Sequence, residues 1–106
     1  MKRDVFQAIA DPTRRAILAS LRKKEQNVNA LAEQFDITRQ AVSLQVKYLE
    51  ECGVITVHKS GRERICEIKV QELDKVNQWM EPFNALLEEQ FNKLDNLLEK
   101  LNKPNK

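Results

Sequence analysis

Hydrophobic residues recur at helical spacing in the middle of the chain, between Thr38 and Gly53. Val42, Val46 and Leu49 are separated by four and then three positions, so they share one face of a helix. Thr38 suits the N-cap of that helix, and Gly53 suits the left-handed residue that follows a helix end. The pattern therefore predicts a helix between these two residues, buried on one face.

The opposite face of this predicted helix has no acidic residue in its first two turns, and we call it the readout face: it consists of Gln40, Ser43, Leu44 and Lys47. Gln pairs with adenine, Ser with several base edges, Leu packs on the thymine methyl, and Lys contacts guanine or phosphate. A helix with one buried face and such an outward face is typical of DNA recognition. The candidate DNA-binding residues of the helix are Thr38, Arg39, Gln40, Ser43, Leu44 and Lys47.

A shorter amphipathic segment, Asn27–Phe35, precedes this helix, and Asn27 is its expected cap. Only Asp36 and Ile37 separate the two segments, which is the tight connection of a helix-turn-helix.

Two runs rich in β-branched residues follow Gly53 and predict a β-hairpin with its turn at Ser60–Gly61. In that register Lys59 faces Arg62, and Cys66 falls opposite Ile55, close to Cys52. The hairpin would form a basic wing that contacts DNA through Lys59, Arg62 and Arg64.

The start of the chain predicts a short helix at Asp4–Ala10 and a second helix from Asp11–Pro12 to about Lys23. Arg14 and Arg15 lie in the first turn of the second helix, where the helix dipole does not favour a cation. We therefore expect acidic or phosphate partners for both, with a structural ion pair ahead of a DNA contact. Gln45 borders the buried face of the central helix and is expected to make a structural hydrogen bond.

A long apolar stripe occupies the last third of the chain, where Leu73, Met80, Leu87, Leu94 and Leu101 recur every seven residues. Further large side chains widen the stripe beyond what a small monomer can cover, which predicts a dimer. Pro82 is expected to kink or break the helix. The candidate dimer contacts are Val5, Phe6, Ile9, Trp79, Phe83, Leu86, Leu87, Phe91 and Leu94.

The sequence thus predicts a mainly α protein: a winged helix-turn-helix with a two-stranded wing in residues 1–70, and a helical dimerisation element in residues 71–102. Residues 103–106 are expected to form a frayed tail.

Charged residues are distributed unevenly along the chain. The net charge is only +2, but residues 1–64 contain 12 Lys and Arg against 8 Asp and Glu, whereas residues 65–106 contain 6 against 8. The basic excess therefore accompanies the predicted wing and helix-turn-helix, as expected for a phosphate-binding surface.

No secretion signal and no apolar run of about 18–20 residues is present, so we expect a cytoplasmic protein that does not associate with a membrane.

The chain resembles winged helix-turn-helix transcriptional regulators of the ArsR type. The residues that carry this resemblance are, in order, 10–18 (ADPTRRAIL), 31–33 (LAE), 38–55 and 61–64 (GRER). The resemblance implies a homodimeric repressor of a palindromic operator in a bacterial or archaeal cytoplasm, with double-stranded DNA and a second copy of the chain as partners.

Metal-sensing members of this family carry paired cysteines near the helix at 28–35, or His and carboxylate clusters on the last helix. Here the first region reads ALAEQ at residues 30–34, and the last helix contains neither His nor Cys. We therefore expect no metal and no other cofactor.

Three other functions remain alternatives. A redox-responsive repressor could use Cys52 and Cys66, although small buried side chains are the preferred interpretation of both cysteines. A winged helix can also serve as a protein-interaction module. An enzyme is disfavoured. The single histidine, His58, lies in a predicted strand, where the sequence pairs it with no Cys or Ser, and the two glycines of the chain form no glycine-rich phosphate loop.

Overall fold

The computed structural model describes residues 3–102, which form five helices and three strands. In chain order these are α1 (Val5–Ala8), α2 (Pro12–Leu21), β1 (Gln26–Asn27), α3 (Val28–Gln34), α4 (Arg39–Glu51), β2 (Ile55–Ser60), β3 (Glu63–Ile68) and α5 (Val70–Asn102). The expected winged helix-turn-helix fold with a long C-terminal helix is confirmed. The tail at residues 103–106 lies outside the described residues.

Polar caps start the first four helices, as their sequences indicate. Asp4 and Gln7 form a capping box on α1, with hydrogen bonds of 3.0 and 2.9 Å. Asp11 and Asn27 accept from the backbone of α2 and α3 in the same way. At the start of α4, the Thr38 hydroxyl accepts from the backbone N–H of Ala41 at 3.1 Å. Each cap satisfies an amide that has no partner within its helix.

The core joins one face from each of the first four helices to the sheet. Val42, Val46 and Leu49 of α4 are fully buried, as their spacing predicts. The other members of the core are Val5, Ala8, Ile17, Leu18, Leu21, Val28, Leu31, Cys52, Val54, Ile55 and Cys66. The core thereby fixes which face of α4 points outward.

The sheet contains one more strand than expected. β1 pairs antiparallel with β3, so the order is β1-β3-β2. A two-residue strand has too little sequence to show an alternating pattern, so only its partner reveals it.

The register of the wing differs from the expected one. Ser60 pairs with Glu63, so the two turn residues are Gly61 and Arg62, and Cys66 lies opposite Val57 instead of Ile55. Gly61 has φ +64°, a left-handed conformation that glycine adopts without strain. The turn thus begins one residue later than predicted, at the position where the glycine provides its positive φ.

The described part of the chain divides into two compact units, with the boundary between Val76 and Asn77. In the first unit, Leu73 and Val76 pack against the core. In the second unit the described residues belong to α5, where the rings of Trp79 and Phe83 are 5.0 Å apart. Pro82 lies inside α5 without breaking it.

Candidate nucleic-acid interface

The readout face of α4 is open to solvent. Leu44 is 70% exposed, and Gln40 and Lys47 are exposed as well, whereas Ser43 is half-buried. A large apolar side chain with so much exposed surface beside polar groups is suited to a contact with the methyl group of thymine. Thr38 and Arg39 are also exposed, at the N-terminal end of the same helix.

The two helices of the helix-turn-helix are joined by a side-chain contact. The Arg39 Nε donates a hydrogen bond to the Asn29 Oδ1, which connects the first turn of α4 to α3. Arg39 is therefore held at the edge of the readout face and is not a freely moving cation. Asn29 was missed by the sequence analysis, because its partner is ten residues away.

Arg14 of α2 connects residues of α1 to α4. Its guanidinium donates to the carbonyl oxygens of Ala8 and Gln7 at 3.1 and 2.9 Å, and to the Oε1 of Gln45 at 3.1 Å. Its guanidinium carbon also lies 4.0 Å from the centre of the Tyr48 ring. The structural role expected for Arg14 is confirmed, but its partners are carbonyls, an amide and a ring, so the expected ion pair is wrong. The structural hydrogen bond expected for Gln45 is confirmed.

The wing presents its cations at its tip. Lys59 and Arg64 lie directly opposite each other on β2 and β3, Arg62 occupies the turn, and all three are exposed. Cations paired across a ladder repel each other unless an anion lies between them. This arrangement suits a polyanion such as the DNA backbone.

The wing and the helix-turn-helix meet at a small groove of about 70 Å³. Its lining includes Arg39, Arg62 and Arg64, and the Asn27 Nδ2 donates to the Glu63 Oε1 at 3.0 Å beside them. The structure thus brings the N-terminal cation of α4 together with two cations of the wing. These residues were predicted separately, and no local pattern indicated that they share a groove.

A second basic group adjoins the other end of α4, and the sequence analysis did not identify it. The Arg3 Nε lies 3.3 Å from the Glu51 Oε2, and its guanidinium carbon lies 3.7 Å from the centre of the Tyr48 ring. Arg3 precedes the first helix, where no periodic pattern assigns a direction to a side chain.

The candidate dimer residues are placed unequally. Val5 is fully buried in the single chain, because α1 packs that side chain into the core, so its assignment to a dimer interface is wrong. Phe6 is exposed and Ile9 is half-buried. The large apolar side chains of α5 are all exposed in the single chain: Trp79, Phe83, Leu86, Leu87, Phe91 and Leu94.

The two cysteines are buried free thiols. Burial is the largest influence on both and raises the pKa of Cys52 and of Cys66, which disfavours the reactive thiolate. Nearby arginines lower these pKa values without reversing the shift, Arg14 and Arg3 at Cys52 and Arg64 at Cys66. These environments support small packed side chains over a thiol switch.

Residues 3–102 contain no cluster of His, Cys, Asp and Glu that could hold a metal ion. Nor does any of their helices combine the length and apolar character needed to cross a membrane.

Comparisons with known proteins match this geometry. A family described as "Helix-turn-helix domain" matches residues 9–58. The transcriptional repressor SdpR of Bacillus subtilis is 32% identical over 73% of this chain and 86% of its own length. A solved structure described as an ArsR family transcriptional regulator is 38% identical, with a TM-score of 0.69, over 78% of this chain and 86% of that one. An ArsR-like regulator from Rhodococcus sp. RHA1 is 27% identical, with a TM-score of 0.66, over 95% of this chain and 92% of that one.

Proposed function

We propose that this chain, which belongs to the ArsR family of winged helix-turn-helix transcriptional regulators, represses transcription as a homodimer bound to a palindromic operator. Its relatives are transcriptional regulators, so the chain is not an enzyme. The dimer, the symmetry of the operator and the individual contacts are the parts that we propose.

The observation that carries the proposal is the exposed readout face of α4 beside a basic wing. In a helix-turn-helix the second helix enters the major groove, where its side chains meet base edges. Gln40, Ser43 and Leu44 would read the sequence, and Lys47 would contact guanine or phosphate. Arg39 and the wing residues Lys59, Arg62 and Arg64 would bind phosphates, and Thr38 would hold the helix start close to the backbone.

The proposal of a homodimer rests on apolar surface. In the second unit, α5 exposes one large apolar side chain after another, from Trp79 to Leu101. A monomer rarely exposes a continuous apolar patch of this kind, and a second copy of the same helix would cover it. Phe6 of α1 is a further exposed aromatic side chain that we assign to the interface.

A two-fold dimer implies a symmetric binding site. Two copies of α4 would enter successive major grooves on one side of the duplex, about 34–36 Å apart. The operator would then be a palindrome whose half-sites are separated by about one helical turn. A repressor of this kind needs no cofactor or metal ion, and it would act in the cytoplasm, where bacterial DNA is found.

Selection of bound sequences from random DNA, followed by binding measurements on the enriched sequence, tests this function. We expect one palindromic motif, bound by two subunits per duplex in sedimentation analysis. Enrichment of a single non-symmetric half-site bound by one subunit would contradict the dimer model. Absence of any enriched sequence, together with capture of a protein partner without DNA, would favour the interaction module instead.

A further inference from the structure

Glu51 is an acidic residue at the border of the surface that is proposed to face DNA. Glu51 follows Leu44 by seven positions and Lys47 by four, so it extends the readout face at the C-terminal end of α4. The helix dipole places negative potential at the same end. An uncompensated carboxylate there would repel the phosphate backbone.

The side chain of Arg3 contacts that of Glu51. Its Nε is 3.3 Å from the Glu51 Oε2, and its guanidinium stacks 3.7 Å from the centre of the Tyr48 ring. It also lines one hollow with Leu44 and Lys47, which are members of the readout face. The guanidinium is thus held at the border of the surface that would meet DNA.

The contact with Glu51 does not commit Arg3 to a structural role. The two side chains are 40% and 44% exposed, and ion pairs at such exposure contribute little to stability because water screens them. A guanidinium carries five N–H donors in a planar fork, and the Glu51 contact engages the Nε. The stacked ring supports the plane of the guanidinium and leaves its edge available for another anion.

The position of Arg3 complements that of the other cations. Arg39 and the wing arginines Arg62 and Arg64 gather at the N-terminal end of α4, whereas Arg3 adjoins its C-terminal end. Glu51 follows Arg39 by twelve positions, which is about 18 Å along a helix. The major groove is about 12 Å wide, so cations at both ends of the helix can reach the backbones on both sides of the groove.

We infer that Arg3 is a phosphate contact of the DNA-binding surface: Tyr48 and Glu51 hold its guanidinium beside Lys47, and it binds the backbone strand opposite the one bound by the wing. This inference rests on the proposed function. It assigns DNA binding to a residue that lies outside both the helix-turn-helix and the wing.

The test measures DNA affinity as a function of salt by fluorescence anisotropy, on the selected operator and on a scrambled duplex. Each phosphate contact contributes about 0.9 to the slope of log K against log salt. We therefore expect Arg3→Met to reduce the slope by about 0.9 for each bound subunit on both duplexes. Between about 50 and 200 mM salt, that change corresponds to a roughly 3.5-fold smaller loss of affinity per subunit. Arg3→Lys keeps the charge and should restore the slope.

Arg22→Met is the matched control, because Arg22 is an exposed arginine at the far end of α2. It should leave the slope unchanged. The double variant Arg3→Met/Glu51→Gln distinguishes two explanations of a slope loss: Arg3 binds a phosphate, or Arg3 only neutralises the charge of Glu51. The slope loss from Arg3→Met should persist when it is measured in the Glu51→Gln background.

Two results would overturn the inference while leaving the proposed function intact. One is an Arg3→Met slope equal to that of Arg22→Met, in an experiment where Lys47→Ala weakens binding. The other is a slope loss that vanishes in the Glu51→Gln background, which would mean that Arg3 only screens the acid. If the wild-type protein binds neither duplex, the inference and the proposed function fail together. Thermal unfolding verifies that each variant is folded. If Arg3→Met does not fold, the same slope is measured on Arg3→Gln, which retains a planar polar group without the charge.

Discussion

At the scale of single residues, Arg14 holds α4 against the first residues of the described chain. Arg14 bonds to the carbonyls of Gln7 and Ala8 and to the Gln45 side chain, and both Arg14 and Arg3 contact the Tyr48 ring. The buried side of α4 is thereby anchored through polar contacts as well as through its apolar core residues. The opposite side of α4 remains exposed, as the proposed contact with bases requires.

Gln40 offers the clearest test of base readout. Its side chain is exposed on the readout face, and a bidentate contact with adenine contributes about 1–3 kcal/mol of discrimination. Gln40→Ala should therefore lower operator affinity by about one to two orders of magnitude and relax the preference at one base position. Binding measured on a panel of single-base operator variants gives the result. An unchanged ranking of those variants at full affinity would place a different face of α4 in the groove.

The buried thiol of Cys66 gives a pH dependence whose sign follows from its environment. Burial raises the pKa of Cys66 above its ordinary value of 9.0; Glu50 adds to this shift and Arg64 opposes it. The folded protein therefore retains the thiol proton at a pH where the unfolded chain has begun to release it. The contribution of the thiol to the free energy of unfolding should be complete below pH 9.0 and fall as the pH rises above it.

Urea unfolding of the wild-type protein and of Cys66→Ala, at neutral pH and above pH 9.0, measures this effect. The stability difference between the two proteins should be largest at neutral pH and shrink as the pH rises. A difference that stays constant would show that the thiol does not titrate differently in the two states.

At the scale of elements, the wing depends on one backbone conformation. The two-residue turn at Gly61–Arg62 sets the register in which Lys59 faces Arg64 and Ser60 faces Glu63. Gly61 adopts φ +64°, and a Cβ at that position would meet nothing within 4 Å. The position therefore requires glycine for its backbone angle and not for space.

Substitution at Gly61 separates these two requirements. Gly61→Ala should destabilise the wing by about 1–2 kcal/mol, since the left-handed conformation strains a residue with a Cβ. Gly61→Asn should be milder, because Asn tolerates this conformation better than most residues. Hydrogen exchange of the β2 and β3 amides measures the local effect. Equal protection in Gly61→Ala and the wild-type protein would contradict the strain argument.

At the scale of the whole molecule, the proposed dimer determines which operators fit. A subunit alone would present one α4 and one wing, whereas a palindrome requires two copies at a fixed separation. A variant that does not form the dimer should therefore also lose operator binding.

Leu87→Lys tests that connection. Leu87 is exposed in the single chain and lies in the middle of the apolar face of α5. Burying such a side chain contributes roughly 1.5–3 kcal/mol, and a charge in its place would prevent association. We expect monomers or aggregates in sedimentation and loss of operator binding, with the helical content of residues 3–76 retained. Glu88→Lys, on an exposed neighbouring position, is the control for the added charge. A soluble wild-type monomer at micromolar concentration that still binds a palindrome would contradict the dimer model.

A metal titration tests the expectation that no metal regulates the protein. Zinc, cadmium or arsenite at stoichiometric levels should leave operator affinity unchanged under reducing conditions, because residues 30–34 carry no thiol and α5 carries no His or Cys. Anisotropy with and without each metal gives the measurement. Tight binding that releases DNA would overturn this expectation.

The sequence by itself determined the features that depend on near neighbours. The caps Asp11, Asn27 and Thr38 and the spacing of Val42, Val46 and Leu49 act within one or two helical turns. These residues alone therefore indicate where three helices begin and which face of α4 points outward. The glycine in the wing likewise predicted a hairpin, but the predicted turn at Ser60–Gly61 was wrong by one residue.

Tertiary structure alone decided which distant residues meet. β1 exists only through its pairing with β3, Arg14 contacts Gln45 across 31 positions, and Asn27 contacts Glu63 across 36. The burial of Val5 and the stacking of Arg3 on Tyr48 depend in the same way on how the first residues pack against α4. Periodicity and capping describe contacts between residues that are close in sequence. Contacts between distant residues form only when the core brings their elements together, so these local patterns do not predict them.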